Sequence, residues 1–489
     1  MSENYIKFGT RTKLCIFILL ALSLTTVNSI ATSTAILFVP IAAKMLYRKN
    51  ELPVLYPAIM LQWLQVTIKV FYADFYNVPL ESVFEFPDHI YKAYYFSLLS
   101  LLAVSFGVWM ILRKVPTVSP EDYTDAVQQF SSKKIVIIYI LAIIIAPLLN
   151  RYAFAAGGLQ QFIIKAVELK WTLFFIFFIT AFLKNENKLT FYLIVLFEII
   201  LSFTGIFSSF KEYFMFLGIG YMMINPKLTT RKILVLTFIG TVLFNFFVVW
   251  QHVKPEYRHF LTNGENTQSV KVDNGAALEK LLQLVGEMDT AGYRDGVIRL
   301  LERTSYIDFF SASIAYVPKY HPYENGSLWL DALTRVFMPR FLFPNKAIID
   351  DSQVTMKYTG LKLADASEGV SISLGYIGET YADVGLKLML VPLFLFGLII
   401  GLIYKHILTT TSNIIWRYGL ILPLFFQLNV YEQALIKFVG GIIAYFIVIV
   451  IIRKSGFIDY LNKKISLPIC RGENDNFKNQ FMTRYNVVD

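Results

Sequence analysis

Two basic side chains lie in a short stretch of this sequence that two prolines delimit. The stretch MPRFLFPNK, residues 338–346, contains Arg340 and Lys346 together with Pro339 and Pro344. Because proline disfavours both helix and central strand, we expect a stiff, irregular loop in which no regular neighbour neutralises Arg340. Such a loop can present its cations to an anionic ligand. The alternative is an arginine that reaches for lipid headgroups at a membrane surface.

A second group of cations follows helical spacing. In GYRDGVIRLLERTSYIDFF, Arg299 and Arg303 are four residues apart, so they share one helix face, where like charges repel. They either form ordinary ion pairs with Asp295 and Asp308 or clamp phosphate oxygens, which guanidinium groups bind through two parallel hydrogen bonds.

Two further cations are candidates for contact with the same ligand. Arg335 stands four residues after Asp331, the spacing of an intrahelical salt bridge, and this structural interpretation is the favoured one. Lys211 lies near one end of an apolar stretch, where it can face a cavity at the membrane surface.

Candidate proton acceptors occur in the same part of the chain. Glu379 lies in EGVSISLGYIGETYADVGLK, residues 368–387, where burial near a membrane can raise the pKa of a carboxyl group and suit it to general-base catalysis. An ion pair with a nearby arginine is the competing interpretation. His321 is the second candidate. Tyr376 belongs to a group of aromatic residues whose flat faces suit sugar rings but also suit a membrane interface.

The composition indicates a membrane protein. Hydrophobic residues make up 56% of the 489 residues and charged residues only 16%, far from the balance of a soluble domain. The net charge of +10 lies in short loops and in the C-terminal tail, as the positive-inside rule predicts, so a nucleic-acid partner is not expected. Cys15 and Cys470 have no spacing for metal binding, and neither a metal site nor a cofactor is predicted.

Apolar blocks of membrane-spanning length divide the chain, and the fold class they predict is an all-α polytopic bundle of about twelve transmembrane helices. The candidate spans are about 14–29, 31–47, 53–75, 93–112, 134–150, 169–184, 189–206, 209–225, 233–252, 386–405, 418–431 and 434–452.

Basic residues in alternate loops set the predicted orientation, with both termini in the cytoplasm. We therefore expect nine spans in residues 1–253, a long and partly helical extracytoplasmic loop with a re-entrant return segment in 254–385, three spans in 386–453 and a cytoplasmic tail in 454–489. Glu198 falls in the middle of a predicted span, where a carboxylate must be paired, protonated or functional.

Three stretches resemble the bacterial oligosaccharide repeat unit polymerases, the Wzy-type O-antigen and capsule polymerases, which are related to the O-antigen ligases. NRYAFAAGGLQQFI (150–163) is similar to an outer loop of that family and contains Arg151. FTGIFSSFKEYFMFLGIGY (203–221) resembles a turn of the family in which an arginine usually stands where this chain has Lys211. MPRFLFPNK with GVSISLGYIGETYADVGL resembles the loop and return segment of the family.

The resemblance implies a glycosyltransferase with a GT-C-like helical bundle in the bacterial inner membrane. Its donor and acceptor would be polyprenyl-diphosphate-linked oligosaccharides, which it would join into O-antigen, capsular or exopolysaccharide chains. Membrane lipids, a chain-length regulator and a flippase are the partners that the resemblance implies. In this interpretation the cations bind the diphosphate, and Glu379 or His321 takes a proton from the acceptor hydroxyl.

Two alternatives remain at this point. A ligase of the same superfamily would transfer a finished glycan to a different acceptor. A flippase for lipid-linked oligosaccharides would also need cations and aromatic residues around a cavity, but on both sides of the membrane.

Overall fold

The computed structural model describes residues 5–155, 159–203, 210–224, 230–265, 270–338, 342–343, 345–347, 349–364 and 370–467. Within these ranges the regular secondary structure is helical, and the β-type pairing consists of isolated bridges between Tyr5 and Arg48 and between Phe130 and Ser466. The predicted all-α class is therefore confirmed for the described part of the chain.

In chain order, the helices of the described residues are α1 (Thr10–Ser23), α2 (Ser29–Leu46), α3 (Leu55–Phe75), α4 (Ile90–Leu112), α5 (Pro120–Gln128), α6 (Ser132–Ala155), α7 (Gln160–Val167), α8 (Lys170–Leu183), α9 (Lys188–Phe203), α10 (Phe210–Ile224), α11 (Thr230–Leu261), α12 (Asn274–Gly286), α13 (Thr290–Thr304), α14 (Asp308–Tyr316), α15 (Ser327–Arg335), α16 (Asp351–Thr359), α17 (Tyr376–Leu388), α18 (Leu390–Thr410), α19 (Ile414–Ile421), α20 (Leu424–Leu428), α21 (Leu435–Lys454) and α22 (Phe457–Ile465).

Five helical segments of the described chain are long and apolar enough to cross a membrane. They are Ser29–Leu46, Pro87–Leu112, Ser132–Ala153, Leu390–Thr410 and Leu435–Lys454. These segments suggest a membrane-embedded helical protein. Four of the other predicted spans coincide with helices shorter than 18 residues, namely α1, α8, α9 and α10, and the topology of twelve spans stays a prediction.

Two predicted spans differ from the helices in these positions. The span expected at 418–431 is split, because α19 ends at Ile421 and α20 begins at Leu424, with Pro423 between them. Proline lacks the N–H that would continue the hydrogen-bond ladder. The span expected at 233–252 is longer, since α11 continues through Pro255 to Leu261. This extension carries the end of α11 into the segment that was predicted to be a loop.

Glycines allow α4 and α18 to pack with their backbones in close contact. A Cβ atom on Gly397 would overlap the carbonyl oxygen of Val104, and one on Gly107 would overlap the carbonyl oxygen of Phe394. Gly401 lies one turn after Gly397, so α18 carries a small-xxx-small face of the kind that joins helices in membranes.

Aspartate side chains begin three helices of the polar segment 254–385. Asp273 accepts a hydrogen bond from the Gly275 amide at 2.8 Å at the start of α12, Asp289 accepts one from the Gly292 amide at 2.7 Å at the start of α13, and Asp350 accepts one at the start of α16. Each cap satisfies a backbone donor that has no partner within its own helix. The polar segment is therefore locally encoded as short helices.

The helices of the polar segment pack on the membrane-type helices. α13 contacts both α11 and α3, while α17 contacts α14, α15 and α21. Most of the first three turns of α17 is buried. This packing places the end of α13, the start of α16 and the start of α21 around one cavity.

Candidate functional site

An open cavity of about 580 Å³ lies where these helix ends meet. It is bordered by charged, hydroxyl and aromatic side chains that come from four separate stretches of the chain. The lining residues are Arg303, Tyr306, Phe309, Asp351, Ser371, Ile372, Ser373, Phe426, Val430, Glu432, Gln433, Ala434 and Lys437. Of the residues named from sequence for substrate or catalysis, Arg303 borders this cavity.

Arg303 meets a carboxylate across the cavity wall. Its guanidinium donates through Nη2 to Oε1 of Glu432 at 2.6 Å and through Nη1 to Oε2 of the same residue. The arginine side chain is 51% exposed and that of Glu432 is 21% exposed. The guanidinium is thus held in the two-pronged geometry that also binds phosphate, at a position that a ligand can reach.

Further cations interact electrostatically with Arg303. Burial, together with repulsion from Arg258, Arg303 and Lys211, lowers the pKa of Lys254 to about 8. Burial and then repulsion from Arg303 lower the pKa of Arg258. Burial is the larger cause of the lowered pKa of Lys254, and the repulsion from the three other cations adds to it. An anion placed there would relieve this repulsion.

The cations outnumber the carboxylates among the described residues of this group. Glu432 interacts electrostatically with Arg303, Lys254 and Lys211, and Glu212 interacts with Lys211. Lys211, which the sequence predicted near an outer cavity, is thus coupled to Arg303 although it does not line the cavity. We refer to Lys211, Lys254, Arg258 and Arg303 as the cation cluster.

A second ion pair lies on another part of the cavity wall. Asp351 begins α16 and is 6% exposed, and its Oδ2 accepts hydrogen bonds from Lys437 Nζ and, at 3.2 Å, from the Ser371 hydroxyl. Within the described part of the chain, its buried Oδ1 accepts no hydrogen bond. A buried acceptor without a hydrogen bond lowers the stability of the folded state.

Glu379 lies behind the cavity wall and not in it. Its Oε2 accepts a hydrogen bond of 3.1 Å from the amide of Leu435, so the carboxyl group holds the first residue of α21. Burial raises the pKa of Glu379 to about 8, against the opposing effect of that hydrogen bond. A carboxyl group in this state is largely protonated at neutral pH. The position fits a residue that supports the Glu432–Lys437 segment better than one that contacts a substrate.

Tyr376 and His321 also lie away from the cavity lining. Tyr376 is fully buried, donates to Gln62 Oε1 at 2.8 Å and stacks on Phe438 with ring centroids 4.1 Å apart. His321 Nδ1 lies 2.8 Å from the carbonyl oxygen of Pro322, and its Nε2 lies 3.9 Å from Glu324 Oε1. In this structure neither side chain faces the cavity that contains Arg303.

The remaining predicted cations form local contacts or lie elsewhere. Arg299 donates to Asp295 at 2.6 Å, as the ion-pair interpretation predicted. Arg335 donates to Asp331 at 3.0 Å, and Lys346 Nζ donates to the Arg335 carbonyl oxygen at 2.6 Å. Arg151 is exposed on α6. Arg340, with Pro339 and Pro344, lies outside the described residues.

One family model matches most of the chain. It is described as a domain of unknown function, DUF8712, and it matches residues 72–458. The chain belongs to the DUF8712 family. The matched range includes the whole cavity lining and the cation cluster. No curated protein and no solved structure matches the chain.

Four charged residues in and around the cavity were not identified from the sequence. Lys254 and Arg258 are four residues apart on α11, the same spacing that drew attention to Arg299 and Arg303, so this signal was present. Asp351 and Lys437 gave no such signal, because the two residues are 86 positions apart and each resembles an ordinary helix-end charge.

Glu198 is paired within the helical bundle. Its carboxylate accepts hydrogen bonds from Tyr139 at 2.6 Å and from Tyr213 at 2.8 Å, and it forms an ion pair with Lys170. The four residues come from α6, α8, α9 and α10. A buried charge with this many partners is satisfied, so the structure favours the paired interpretation and assigns Glu198 to packing.

Proposed function

We propose that this protein is a membrane glycosyltransferase that joins polyprenyl-diphosphate-linked oligosaccharide repeat units into polysaccharide on the outer face of the bacterial cytoplasmic membrane. The observation that carries the proposal is the cation cluster beside a cavity that also contains a buried, partly unsatisfied carboxylate. The resemblance of the three sequence stretches to Wzy-type polymerases supplies the substrate class. Product chains would be O-antigen, capsular or exopolysaccharide.

The cation cluster suits the leaving group of this reaction. As the bond between the anomeric carbon and the diphosphate oxygen breaks, negative charge grows on the diphosphate. Arg303 can hold two of its oxygens, while Lys254 and Arg258 add positive charge from α11. Fixed cations of this kind stabilise the developing charge more than they stabilise the bound donor, which is the condition for faster reaction.

The acceptor needs a proton acceptor on the opposite side of the reacting carbon. Asp351 is the described cavity residue that best fits this role, because the other carboxylate of the described lining, Glu432, has both of its oxygens on Arg303. The acceptor hydroxyl would attack the anomeric carbon as its proton passes to Asp351. The sequence predicted Glu379 as the base. In this proposal Glu379 instead positions the start of α21.

The experiment is an assay of the purified full-length protein in lipid nanodiscs with a synthetic polyprenyl-diphosphate repeat unit, followed by separation of the products on a gel. A ladder of multiples is expected from the wild type. Arg303→Ala should reduce the polymerisation rate by about 10- to 100-fold, because a bidentate charged contact contributes about 1.5–3 kcal/mol.

Arg299→Ala is the matched control, since Arg299 lies one turn earlier on α13 and pairs with Asp295. Its rate should stay near that of the wild type. Equal rates for Arg303→Ala and the wild type would contradict the assignment of the site. A single unextended band from the wild type would contradict the polymerase proposal and would lead to tests for ligation to another acceptor or for transbilayer movement.

A further inference from the structure

A second cavity, of about 430 Å³, lies where the segment before α1 meets the ends of α2 and α4. Of the seven described residues that line it, four are basic and none is acidic. The lining residues are Tyr5, Ile6, Lys7, Lys44, Trp109, Arg113 and Lys114. We refer to this cavity as the basic pocket. None of these residues lines the cavity that contains Arg303.

The basic pocket lies at the opposite end of α4 from the polar segment 254–385. Just before α4 begins, the amide of His89 donates to Ser311 Oγ of α14 at 3.3 Å, whereas Arg113 follows directly after the last residue of α4. The 23 residues of α4 extend over about 35 Å, enough to cross the hydrocarbon core of a bilayer. Lys44 likewise stands in the last turn of α2, another helix of membrane-spanning length. The pocket is therefore at the membrane face opposite the polar segment.

The positive charge of the basic pocket is not balanced by ion pairs. Within the described part of the chain, none of its four basic side chains forms a salt bridge. Glu51 is the carboxylate nearest in sequence to Lys44, and Arg48 holds both of its oxygens at 2.8 Å. Arg48 also donates to the carbonyl oxygens of Leu112 and Val115 at the end of α4. Because Arg48 already engages these acceptors, the pocket attracts an anion from outside the chain.

Aromatic rings connect the basic pocket with the apolar surface of α4. The guanidinium of Arg113 lies 5.0 Å from the ring centroid of Trp109, which positions this cation by a cation–π contact. Trp109 in turn stacks on Phe106, with ring centroids 5.5 Å apart, and Phe106 is 41% exposed. The three residues are spaced by three and four positions, so they lie along one face of α4. This face runs from a cation into the apolar part of the helix.

α2 has a similar face. Lys44 Nζ lies 5.8 Å from the ring centroid of Phe8. Ile41 and Leu37, three and seven residues before Lys44, are 39% and 41% exposed. At both helix ends, cations thus adjoin exposed apolar side chains of a membrane-type helix. A ligand that matches this surface has an anionic group at the membrane surface and apolar chains directed into the bilayer.

We propose that the basic pocket binds the headgroup of an anionic phospholipid from the membrane face opposite the polar segment. The lipid phosphate contacts Arg113 and the lysines, which are the usual partners of phosphate groups. The acyl chains lie along the apolar faces of α2 and α4. A soluble phosphate would gain the charged contacts but not the apolar ones. This site is independent of the proposed function, because it shares no residue with the cavity that contains Arg303.

The test is native mass spectrometry of the full-length protein in detergent, titrated with phosphatidylglycerol or with phosphatidylcholine of the same acyl chains. The wild type should retain one phosphatidylglycerol in preference to phosphatidylcholine. The double variant Lys44→Gln with Arg113→Gln should lower the affinity for phosphatidylglycerol by about 10- to 30-fold, because each basic residue at a membrane surface adds a several-fold preference for anionic lipid. Its affinity for phosphatidylcholine should stay the same.

Lys463→Gln with Lys464→Gln is the matched control. It removes the same charge from exposed positions in the last turn of α22, outside the basic pocket, and should keep the wild-type affinity. An equal loss in this control would show a general charge effect and overturn the inference. Lys7→Gln with Lys114→Gln removes the other two cations of the pocket and serves if the first variant does not fold. Unchanged affinity for phosphatidylglycerol in either pocket variant would also overturn the inference.

A competition experiment distinguishes a lipid from a soluble phosphate. A large excess of sn-glycerol 3-phosphate, which has the phosphate but no acyl chains, should leave the bound phosphatidylglycerol in place. Displacement of the lipid would assign the basic pocket to a soluble phosphate compound and overturn the lipid assignment.

Discussion

Replacement of Glu379 by glutamine should change how the stability of the protein depends on pH. Burial raises the pKa of this carboxyl group from an ordinary value of 4.5 to about 8 in the folded protein. The folded state therefore holds a proton that the unfolded state releases, and the free energy of unfolding falls as this difference develops. The contribution of Glu379 is fully present below about pH 4.5 and is lost as pH rises to about 8.

The size of the effect follows from the two pKa values. A pKa that rises from 4.5 to about 8 corresponds to about 4–5 kcal/mol, because each tenfold change in proton affinity is equivalent to about 1.4 kcal/mol. A glutamine at this position resembles the protonated carboxyl group, and its amide oxygen can still accept the hydrogen bond from the Leu435 amide. The glutamine variant should therefore match the wild type near pH 5 and become progressively more stable than the wild type up to pH 9.

The assay is the thermal unfolding midpoint of the purified protein in one detergent from pH 5 to pH 9. The difference between the Glu379→Gln variant and the wild type should grow with pH and level off above about pH 8. Glu302→Gln, at an exposed position on α13, is the control, and its difference from the wild type should not grow with pH. A Glu379→Gln variant that is equally destabilised at every pH would refute the reasoning, because it would show that the carboxylate form supports the fold.

Three other predictions test separate parts of the structure. The affinity of the wild type for pyrophosphate, measured by calorimetry, should fall between pH 7 and pH 9, because Lys254, whose pKa is lowered to about 8, releases its proton in this range. The Lys254→Arg variant should not show this fall. An identical pH profile in both proteins would exclude Lys254 from the site. In denaturant titrations, Glu198→Leu should lower the free energy of unfolding by about 3–5 kcal/mol, because it leaves Lys170 without its ion-pair partner. The double variant Glu198→Leu with Lys170→Met should recover part of this loss. Gly397→Ala should lower the thermal unfolding midpoint, because the added methyl group crowds α4 against α18. Gly240→Ala should leave the midpoint unchanged, because a Cβ at that position meets no atom within 4 Å. Equal midpoints for the two variants would argue against the close packing of α4 and α18.

Local patterns in the sequence were sufficient to predict most helices. Every predicted span overlaps one or more helices, because about 20 consecutive apolar residues satisfy their backbone hydrogen bonds most simply as helix. The aspartates that cap α12, α13 and α16 are likewise local signals. The break at Pro423 could have been predicted from the proline, and the extension of α11 through Pro255 could not, since that proline alone favoured an end to the helix.

The sequence by itself determined the helical class, the membrane-type composition and the presence of cations and carboxylates in the polar segment. The tertiary structure decided which of these groups meet. Arg303 binds Glu432 across 129 positions, and Asp351 binds Lys437 across 86 positions, whereas Glu379 turns away from the cavity to hold α21. Periodicity reports only neighbours within a few helical turns. Contacts between distant charges depend on how α11, α13, α16 and α21 pack, and that packing arises from the whole set of buried surfaces.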